Sequence, residues 1–224
     1  AHRFRFVGRE RGYHGMNIGC VSVGGMINNV KTFASILMPG VQHMRHTHLP
    51  EHKFVSGQPE TGGDLADDLE RIASNFGPEN IAACIVEPIA GSTGTLVPPK
   101  GYLQRLREIC DKHGILLIFD EVITGWGRTG SAFASHEFGV TPDIMTMAKA
   151  TTNGVVPMGV VACKDEIYDA VMDASPMGSV ELFHGYTYSG IPVAVAAGLA
   201  VQDIFEKEDI FNRAKNLAPY FQKG

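Results

Sequence analysis

The sequence from Asn80 to Glu121 alternates between apolar runs of strand length and one amphipathic helix. The run NIAACIVEP stops at a proline, GYLQRLREICDKHG repeats apolar residues at helical spacing, and LLIFDE is a second apolar run. A strand, a helix and a further strand in this order predict a right-handed crossover between parallel strands. Because continuous apolar runs indicate strands buried on both faces, the pattern predicts an α/β fold, a mostly parallel sheet with helices on both faces.

The same alternation extends to both sides of this segment. The stretch DLADDLERIASNFG predicts a helix, DIMTMAK and GVVACK predict two strands, and DEIYDAVMD predicts another helix. A long helix rich in small residues is predicted from Pro192 to Phe205, and the helical period continues to the end. The glycine-rich section from Gly12 to about Gly63 is predicted to be irregular.

Composition excludes several classes of function. The net charge of -5 gives no basic surface for nucleic acid or an anionic membrane, and no run of about 18 apolar residues predicts a membrane span. We therefore expect neither nucleic acid nor membrane as a partner. The four cysteines are far apart and form no CxxC pair. This favours reduced, buried thiols in a cytoplasmic protein over disulfides.

Acidic residues stand at the ends of two predicted strands, Glu87 after one and Asp120 with Glu121 after the other. Ligands of α/β sheets bind at the carboxyl ends of the strands, so Glu87 and Asp120 point to one crevice. A buried carboxylate at such a position needs a cation or several donors. One alternative is that Asp120 caps the following helix or accepts loop amides. No metal is predicted, because the histidines of HMRHTHLPEH lack the spacing of zinc ligands.

Lys149 follows the apolar segment DIMTM and precedes TTNG, which indicates a lysine away from the solvated surface. Desolvation lowers the pKa of a lysine towards that of a usable nucleophile. The alternative is a lysine that extends to solvent and pairs with a carboxylate. A lysine that forms a Schiff base and an aspartate beside a pyridinium nitrogen are the groups by which proteins hold pyridoxal 5'-phosphate. Lys149 and Asp120 together therefore predict this cofactor.

Three long motifs, FDEVITGWGRTG, PDIMTMAKATTNGVVPMG and FHGYTYSGIPVAVAAG, occur in this order. Together with GRERGYHG and VEPIAGSTG, they resemble class III, fold-type I aminotransferases of the ω-amino acid or β-alanine:pyruvate type. The resemblance covers essentially the whole chain. It implies the large domain of a pyridoxal phosphate transferase, with three α/β/α layers. The implied activity is transamination from an ω-amino acid or amine to pyruvate or another keto acid.

The resemblance implies roles for single residues. Lys149 is expected to form the Schiff base, Asp120 to partner the pyridinium nitrogen, and Glu87 to order the site around Asp120. Val122 and Tyr13 are expected on opposite faces of the cofactor ring. The other expected neighbours of the cofactor are His14, Tyr186 and Thr187.

Structural alternatives remain for three of these residues. The ring of Tyr13 could serve packing alone, His14 could be a hydrogen-bonded core histidine, and Thr187 could be a cap or turn residue. In the family that the chain resembles, the threonine at this position reaches the cofactor phosphate of the neighbouring subunit. The resemblance therefore implies a homodimer or a tetramer with shared active sites.

The family also has an upstream phosphate-binding segment and a C-terminal small domain. We accordingly expect residues 1–205 to be a partial large domain that lacks its N-terminal part, and residues 206–224 to be a connector helix into a small domain. The alternatives are another class III enzyme, acting on 4-aminobutyrate, ornithine or a diamine or as an aminomutase, and a truncated fragment without activity. Ile123 stands where several of those relatives carry a polar residue, which favours the ω-amino acid type.

Overall fold

The computed structural model describes residues 2–177 and 182–223. Six strands form one sheet: β1 (Arg5–Arg9), β2 (Val41–Met44), β3 (Ile81–Val86), β4 (Leu116–Asp120), β5 (Ile144–Met147) and β6 (Val160–Cys163). Their order is β2-β1-β3-β4-β5-β6, and neighbours are parallel except for the antiparallel pair β5 and β6. The predicted mostly parallel α/β sheet is confirmed.

Eight α-helices accompany the sheet in the part of the chain that the structure describes. They are α1 (Ile18–Val23), α2 (Ile27–Thr32), α3 (Asp67–Phe76), α4 (Tyr102–His113), α5 (Ala134–Phe138), α6 (Asp165–Asp173), α7 (Pro192–Lys207) and α8 (Ile210–Lys223). The section from Gly12 to Gly63 is therefore less irregular than predicted, because it contains α1, α2 and the edge strand β2. The side chain of Asn17 begins α1 by accepting the N–H of Cys20 at 2.9 Å.

The two faces of β4 have different neighbours. Leu117 and Phe119 are fully buried in a core that includes α3 and α4. Ile118 and Asp120 alternate with them and therefore lie on the opposite face. Their register places Ile118 beside Ile144 and Asp120 beside Thr146 of β5. The strand thus directs an acid away from the main core.

The cysteines are all free, but only two of them are buried. Cys84 and Cys110 lie in the core, and the contact with Cys110, together with burial, raises the pKa of Cys84. Cys20 is half-buried and Cys163 is exposed on β6. The prediction that every thiol is buried is therefore wrong for Cys20 and Cys163. Cys163 is exposed because β6 is an edge strand of the sheet.

The C-terminal helical region is divided in two. Helix α7 continues to Lys207, and α8 begins at Ile210. Between them Asp209 has a φ of +48°, and its carboxylate accepts the side-chain amide of Asn212 at 2.8 and 3.0 Å. The prediction of a helical period unbroken to the end is wrong at this point. The division of the chain after residue 205 falls inside α7 and stays a prediction. Every helix in residues 2–177 and 182–223 is too short or too polar to cross a bilayer.

Asp143 directly precedes β5, links this strand to three other parts of the fold, and is only 8% exposed. Its carboxylate accepts the N–H of Leu117 in β4 at 2.7 Å. It also pairs with Arg107 of α4 at 2.8 Å and with Lys164, which precedes α6, at 2.7 Å. Burial alone would raise the pKa of Asp143. The Lys164 ammonium, the Leu117 amide and the Arg107 guanidinium outweigh burial and hold this pKa below its usual value.

We expect Asp143→Asn to lower the free energy of unfolding by about 2 kcal/mol at pH 7, because the buried negative charge that pairs with Arg107 and Lys164 is removed. The pKa of this group is lower in the folded than in the unfolded chain. The carboxylate therefore stabilises the fold above the unfolded pKa of about 3.9, and this contribution is lost as the pH falls through the folded value.

Urea unfolding of both proteins between pH 3 and pH 7 measures this dependence. The difference between them should shrink as the pH falls below about 4. Asp111→Asn is the matched control, since Asp111 is exposed and also pairs with Arg107. It should change stability by no more than about 0.5 kcal/mol. A constant difference across the pH range would contradict the prediction.

Candidate active site

A cavity of about 770 Å³ lies on the face of the sheet opposite to α3 and α4. Ile85 of β3 and Ile118 of β4 form its floor, and Ala194 and Val195 of α7 contribute to its wall. Its volume is typical of sites that hold small organic ligands. Because most of its lining is apolar, the few polar side chains that reach it determine which ligand it suits.

Asp120 is the acid at the wall of this cavity, and it is 7% exposed. Its Oδ2 accepts Nδ1–H of His14 at 2.8 Å, and its Oδ1 accepts the N–H of Val122 at 3.0 Å. The His14 side chain is 2% exposed, so this contact is shielded from water. Asp120 thus accepts a loop amide, that of Val122, as one alternative predicted. It does not cap the following helix.

Glu121 performs that capping instead, and it is fully buried. Its carboxylate accepts the N–H groups of Ala134 and Ser135 at 2.9 and 2.7 Å, both in the first turn of α5. It also accepts the hydroxyl of Thr124 at 2.6 Å. The two adjacent acids therefore have separate partners, since consecutive residues at a strand end point to opposite sides. This capping role of Glu121 was not predicted from the sequence.

Glu87 organises the loop that carries His14. Its Oε1 accepts the N–H of Tyr13 at 2.9 Å, and its Oε2 accepts the N–H of Gly91 at 2.8 Å. The carboxylate is 4% exposed and both of its oxygens have backbone donors. Glu87 thus fixes the residue next to His14, which in turn contacts Asp120.

The two residues expected on the faces of the ring lie in different surroundings. Val122 lines the main cavity. Tyr13 is half-buried and lines a small neighbouring hollow with Met26. Tyr13 is not among the described residues that line the main cavity, whereas Val122 and Asp120 both line it. Both roles stay predictions.

Lys149 begins a short 3-10 turn, Lys149–Thr151, just beyond the end of β5. The prediction that it is removed from solvent is wrong, because its side chain is exposed. Ala148 and Met147, which precede it, line the cavity. Lys149 itself is not among the described residues that line the cavity, so the turn places it next to the cavity wall at Ala148 and not in that wall. Sequence patterns could not show this, because exposure here depends on the conformation of the turn.

The segment before α7 supplies the last two expected residues. Tyr186 lines the same cavity although it is 73% exposed. Thr187 is exposed, and among the described residues it is not part of the cavity wall. A turn joins Tyr186 to Ser189, whose N–H donates to the Tyr186 carbonyl at 2.9 Å. The segment thus reaches the cavity through Tyr186.

The histidine-rich loop has structural partners. His43 Nε2 lies 2.9 Å from the carbonyl of Gly24, and His52 Nδ1 lies 3.1 Å from that of Thr47. Within residues 2–177 and 182–223, no three histidine, cysteine or acidic side chains are grouped as metal ligands.

The residues of the cavity fit pyridoxal 5'-phosphate. Asp120 uses two of its about four acceptor positions on His14 and Val122, which leaves capacity for another donor. A carboxylate at an otherwise apolar wall favours a cationic group over an anion. A protonated ring nitrogen in a flat, largely apolar heterocycle meets both requirements.

The sheet, its crossovers and the acid at the end of β4 define an α/β domain of the fold-type I class. The family of class-III aminotransferases matches residues 2–224, and the chain belongs to this family. Members of the family depend on pyridoxal 5'-phosphate.

Named relatives extend the comparison. An omega-aminotransferase of Caulobacter vibrioides is 58% identical over 219 residues, which are 97% of this chain and 49% of that protein. A beta-alanine–pyruvate aminotransferase of Pseudomonas aeruginosa is 52% identical over 222 residues, 98% of this chain and 49% of that protein. The chain spans about half the length of these relatives.

Solved structures show the same fold. A transaminase with L-ala superposes with a TM-score of 0.90 at 35% identity, covering 99% of this chain and 52% of that chain. An (S)-enantioselective omega-transaminase from Thermomicrobium roseum gives a TM-score of 0.84 at 39% identity, covering 93% of this chain and 46% of that chain.

Proposed function

We propose that the protein carrying this chain transfers an amino group from an ω-amino acid or amine to pyruvate or another keto acid, with pyridoxal 5'-phosphate as cofactor. The observation that carries the proposal is Asp120 at the cavity wall, with Lys149 just past the end of the adjacent strand. The names of the relatives with 58% and 52% identity support this choice of substrates.

The cofactor supplies an electron sink that stabilises negative charge at the reacting substrate carbon. Asp120 keeps the proton on the ring nitrogen because its carboxylate offers a fixed negative charge there. Lys149 would hold the cofactor covalently through its side-chain amine, and the same amine, when free, would move a proton to and from the substrate carbon. His14 holds Oδ2 of Asp120, and Glu87 holds the backbone beside His14.

The remaining predicted residues complete the proposal. Val122 would contact one face of the ring, and Tyr13, from the neighbouring hollow, would serve the other face. Thr187, with Tyr186 beside it, would serve the cofactor phosphate of a neighbouring subunit. A homodimer is proposed because Phe183, Tyr186 and Tyr188 are 79, 73 and 77% exposed in the segment before α7, and exposed aromatic side chains in one segment suit an interface. We also propose a cytoplasmic location, since all four cysteines are free.

Lys149→Arg tests the proposal, because arginine keeps the charge but does not form a Schiff base. The protein is incubated with pyridoxal 5'-phosphate, reduced with borohydride and mapped by mass spectrometry. We expect the adduct on the peptide that contains Lys149 and its loss in the variant. Lys53→Arg, at another exposed lysine, is the control and should keep the adduct.

Unreduced portions of the same proteins, loaded with pyridoxal 5'-phosphate, are assayed for formation of alanine from β-alanine and pyruvate. Lys149→Arg should lower the rate by at least about 10³-fold, since covalent attachment and proton transfer are both lost. Adduct spread evenly over exposed lysines, with none enriched at Lys149, would refute the proposed function.

A further inference from the structure

Lys149 has a backbone conformation that most side chains avoid. Its φ is +46°, in the left-handed region, which costs a non-glycine residue roughly 1–2 kcal/mol. Such a conformation persists only where neighbouring contacts fix it. Two backbone hydrogen bonds define the turn, from the N–H of Thr151 to the carbonyl of Ala148 and from the N–H of Gly154 to that of Lys149, each at 3.0 Å.

The side chain of Thr151 adds a further restraint to this turn. Thr151 is 4% exposed, and its hydroxyl donates to the carbonyl of Ala148 at 3.0 Å. The same hydroxyl oxygen accepts Nε1–H of Trp126 at 2.9 Å. Because an indole N–H only donates, Thr151 must accept from Trp126, which leaves its own hydrogen for Ala148. Two hydrogen bonds in series thus lead from Trp126 to the residue before Lys149.

Trp126 is itself fixed from two sides. Its backbone N–H donates to the carbonyl of Ala132 at 2.6 Å, which closes the glycine-rich loop after β4. Its ring meets Phe133 edge-on with centroids 5.1 Å apart and stacks on Phe205 of α7 at 6.1 Å. The indole donor therefore has a defined position relative to Thr151.

We propose that Trp126 is a positioning residue for Lys149, holding the turn Ala148–Thr151 in the conformation that presents the lysine amine to the aldehyde of the cofactor. The proposal rests on the proposed function, because the aldehyde is the group that Lys149 would meet. Trp126 acts through the Thr151 hydroxyl and needs no contact with the cofactor. Its N–H, rather than its aromatic surface, is the group that carries this role.

Trp126→Phe tests the proposal because it keeps an aromatic ring against Phe133 and Phe205 and removes the N–H donor, together with part of the bicyclic ring. Thr151→Val removes the hydroxyl with little change of shape, and Thr151→Ser keeps it. The first readout is hydrogen exchange of residues 144–155 without cofactor. We expect exchange about tenfold faster in Trp126→Phe and in Thr151→Val, and close to that of the unsubstituted protein in Thr151→Ser.

The second readout is the rate at which pyridoxal 5'-phosphate becomes trapped on Lys149 by borohydride. It should fall about tenfold in Trp126→Phe and in Thr151→Val. The double variant should be no slower than Thr151→Val alone, because the indole acts only through the hydroxyl.

Three outcomes would overturn the proposal. They are unchanged exchange and trapping in Trp126→Phe, effects of the two substitutions that multiply in the double variant, and faster exchange throughout the sheet, which indicates general destabilisation. Failure of the proposed function is distinguishable, because it appears as no adduct on Lys149 in the unsubstituted protein. If only the Trp126 proposal fails, the adduct forms on Lys149 at the same rate in Trp126→Phe as in the unsubstituted protein.

Discussion

Replacing Asp120 by asparagine is expected to lower the rate of transamination by about 10³-fold or more while the protein stays folded. Asparagine has nearly the same shape, and its oxygen can still accept the N–H of Val122. Its neutral amide, however, offers no negative charge to keep a proton on a ring nitrogen. The substitution therefore removes the charge that the electron sink requires.

Steady-state and single-turnover rates with β-alanine and pyruvate measure this loss. Adduct formation on Lys149 should persist in Asp120→Asn, because the lysine and the acid serve opposite parts of the cofactor. Glu108→Gln, at an exposed acid of α4, is the control and should keep full activity. If Asp120→Asn retained more than about a tenth of the activity, Asp120 would not be the partner of the ring nitrogen.

Removal of the neighbouring acid has a different expected result. Glu121→Ala should lower the free energy of unfolding by about 3–5 kcal/mol, because three donors are left without an acceptor in a fully buried place. Glu121→Gln should lower the free energy of unfolding by less, since its side-chain oxygen can still accept a hydrogen bond. Its NH₂ group, however, then faces one of the three donors.

Urea or thermal unfolding measures this effect independently of activity. Glu137→Ala is the matched control on the same helix, because Glu137 is exposed. It should change the free energy of unfolding by no more than about 0.5 kcal/mol. A loss below about 1 kcal/mol in Glu121→Ala would show that water or another acceptor replaces the carboxylate.

Periodicity predicted the elements of this fold where burial is regular. Strands β3 and β4 and helix α4 follow from continuous apolar runs and a helical stripe, because each packs on the core. The antiparallel direction of β6 could not be predicted, since a short apolar run does not indicate whether the strand is parallel or antiparallel to its neighbour. The break between α7 and α8 at Asp209 was not predicted either. Aspartate adopts a positive φ more readily than most residues, but no sequence pattern indicates that it does so here.

The site was predictable to a similar extent. The position of acids at strand ends and the order of Asp120 and Lys149 were visible, because they depend on chain order and strand direction. The different roles of Asp120 and Glu121 could not be predicted. Ala134 and Ser135 lie more than ten residues away in the sequence and contact Glu121 only in the folded chain. The link from Trp126 to Thr151 is likewise a tertiary contact between two loops.

The reversed direction of β6 has a consequence for how this cavity can evolve. The register pairs Met147 with Val160, so the connection between β5 and β6 leaves the cavity rim and returns to it. Insertions or deletions at Pro157 to Gly159, which line the cavity beyond the turn that holds Lys149, can therefore resize the entrance while the parallel strands keep their alignment. The set of ligands that the cavity accepts can therefore change with the length of one connection, while the strand that carries Asp120 stays in place.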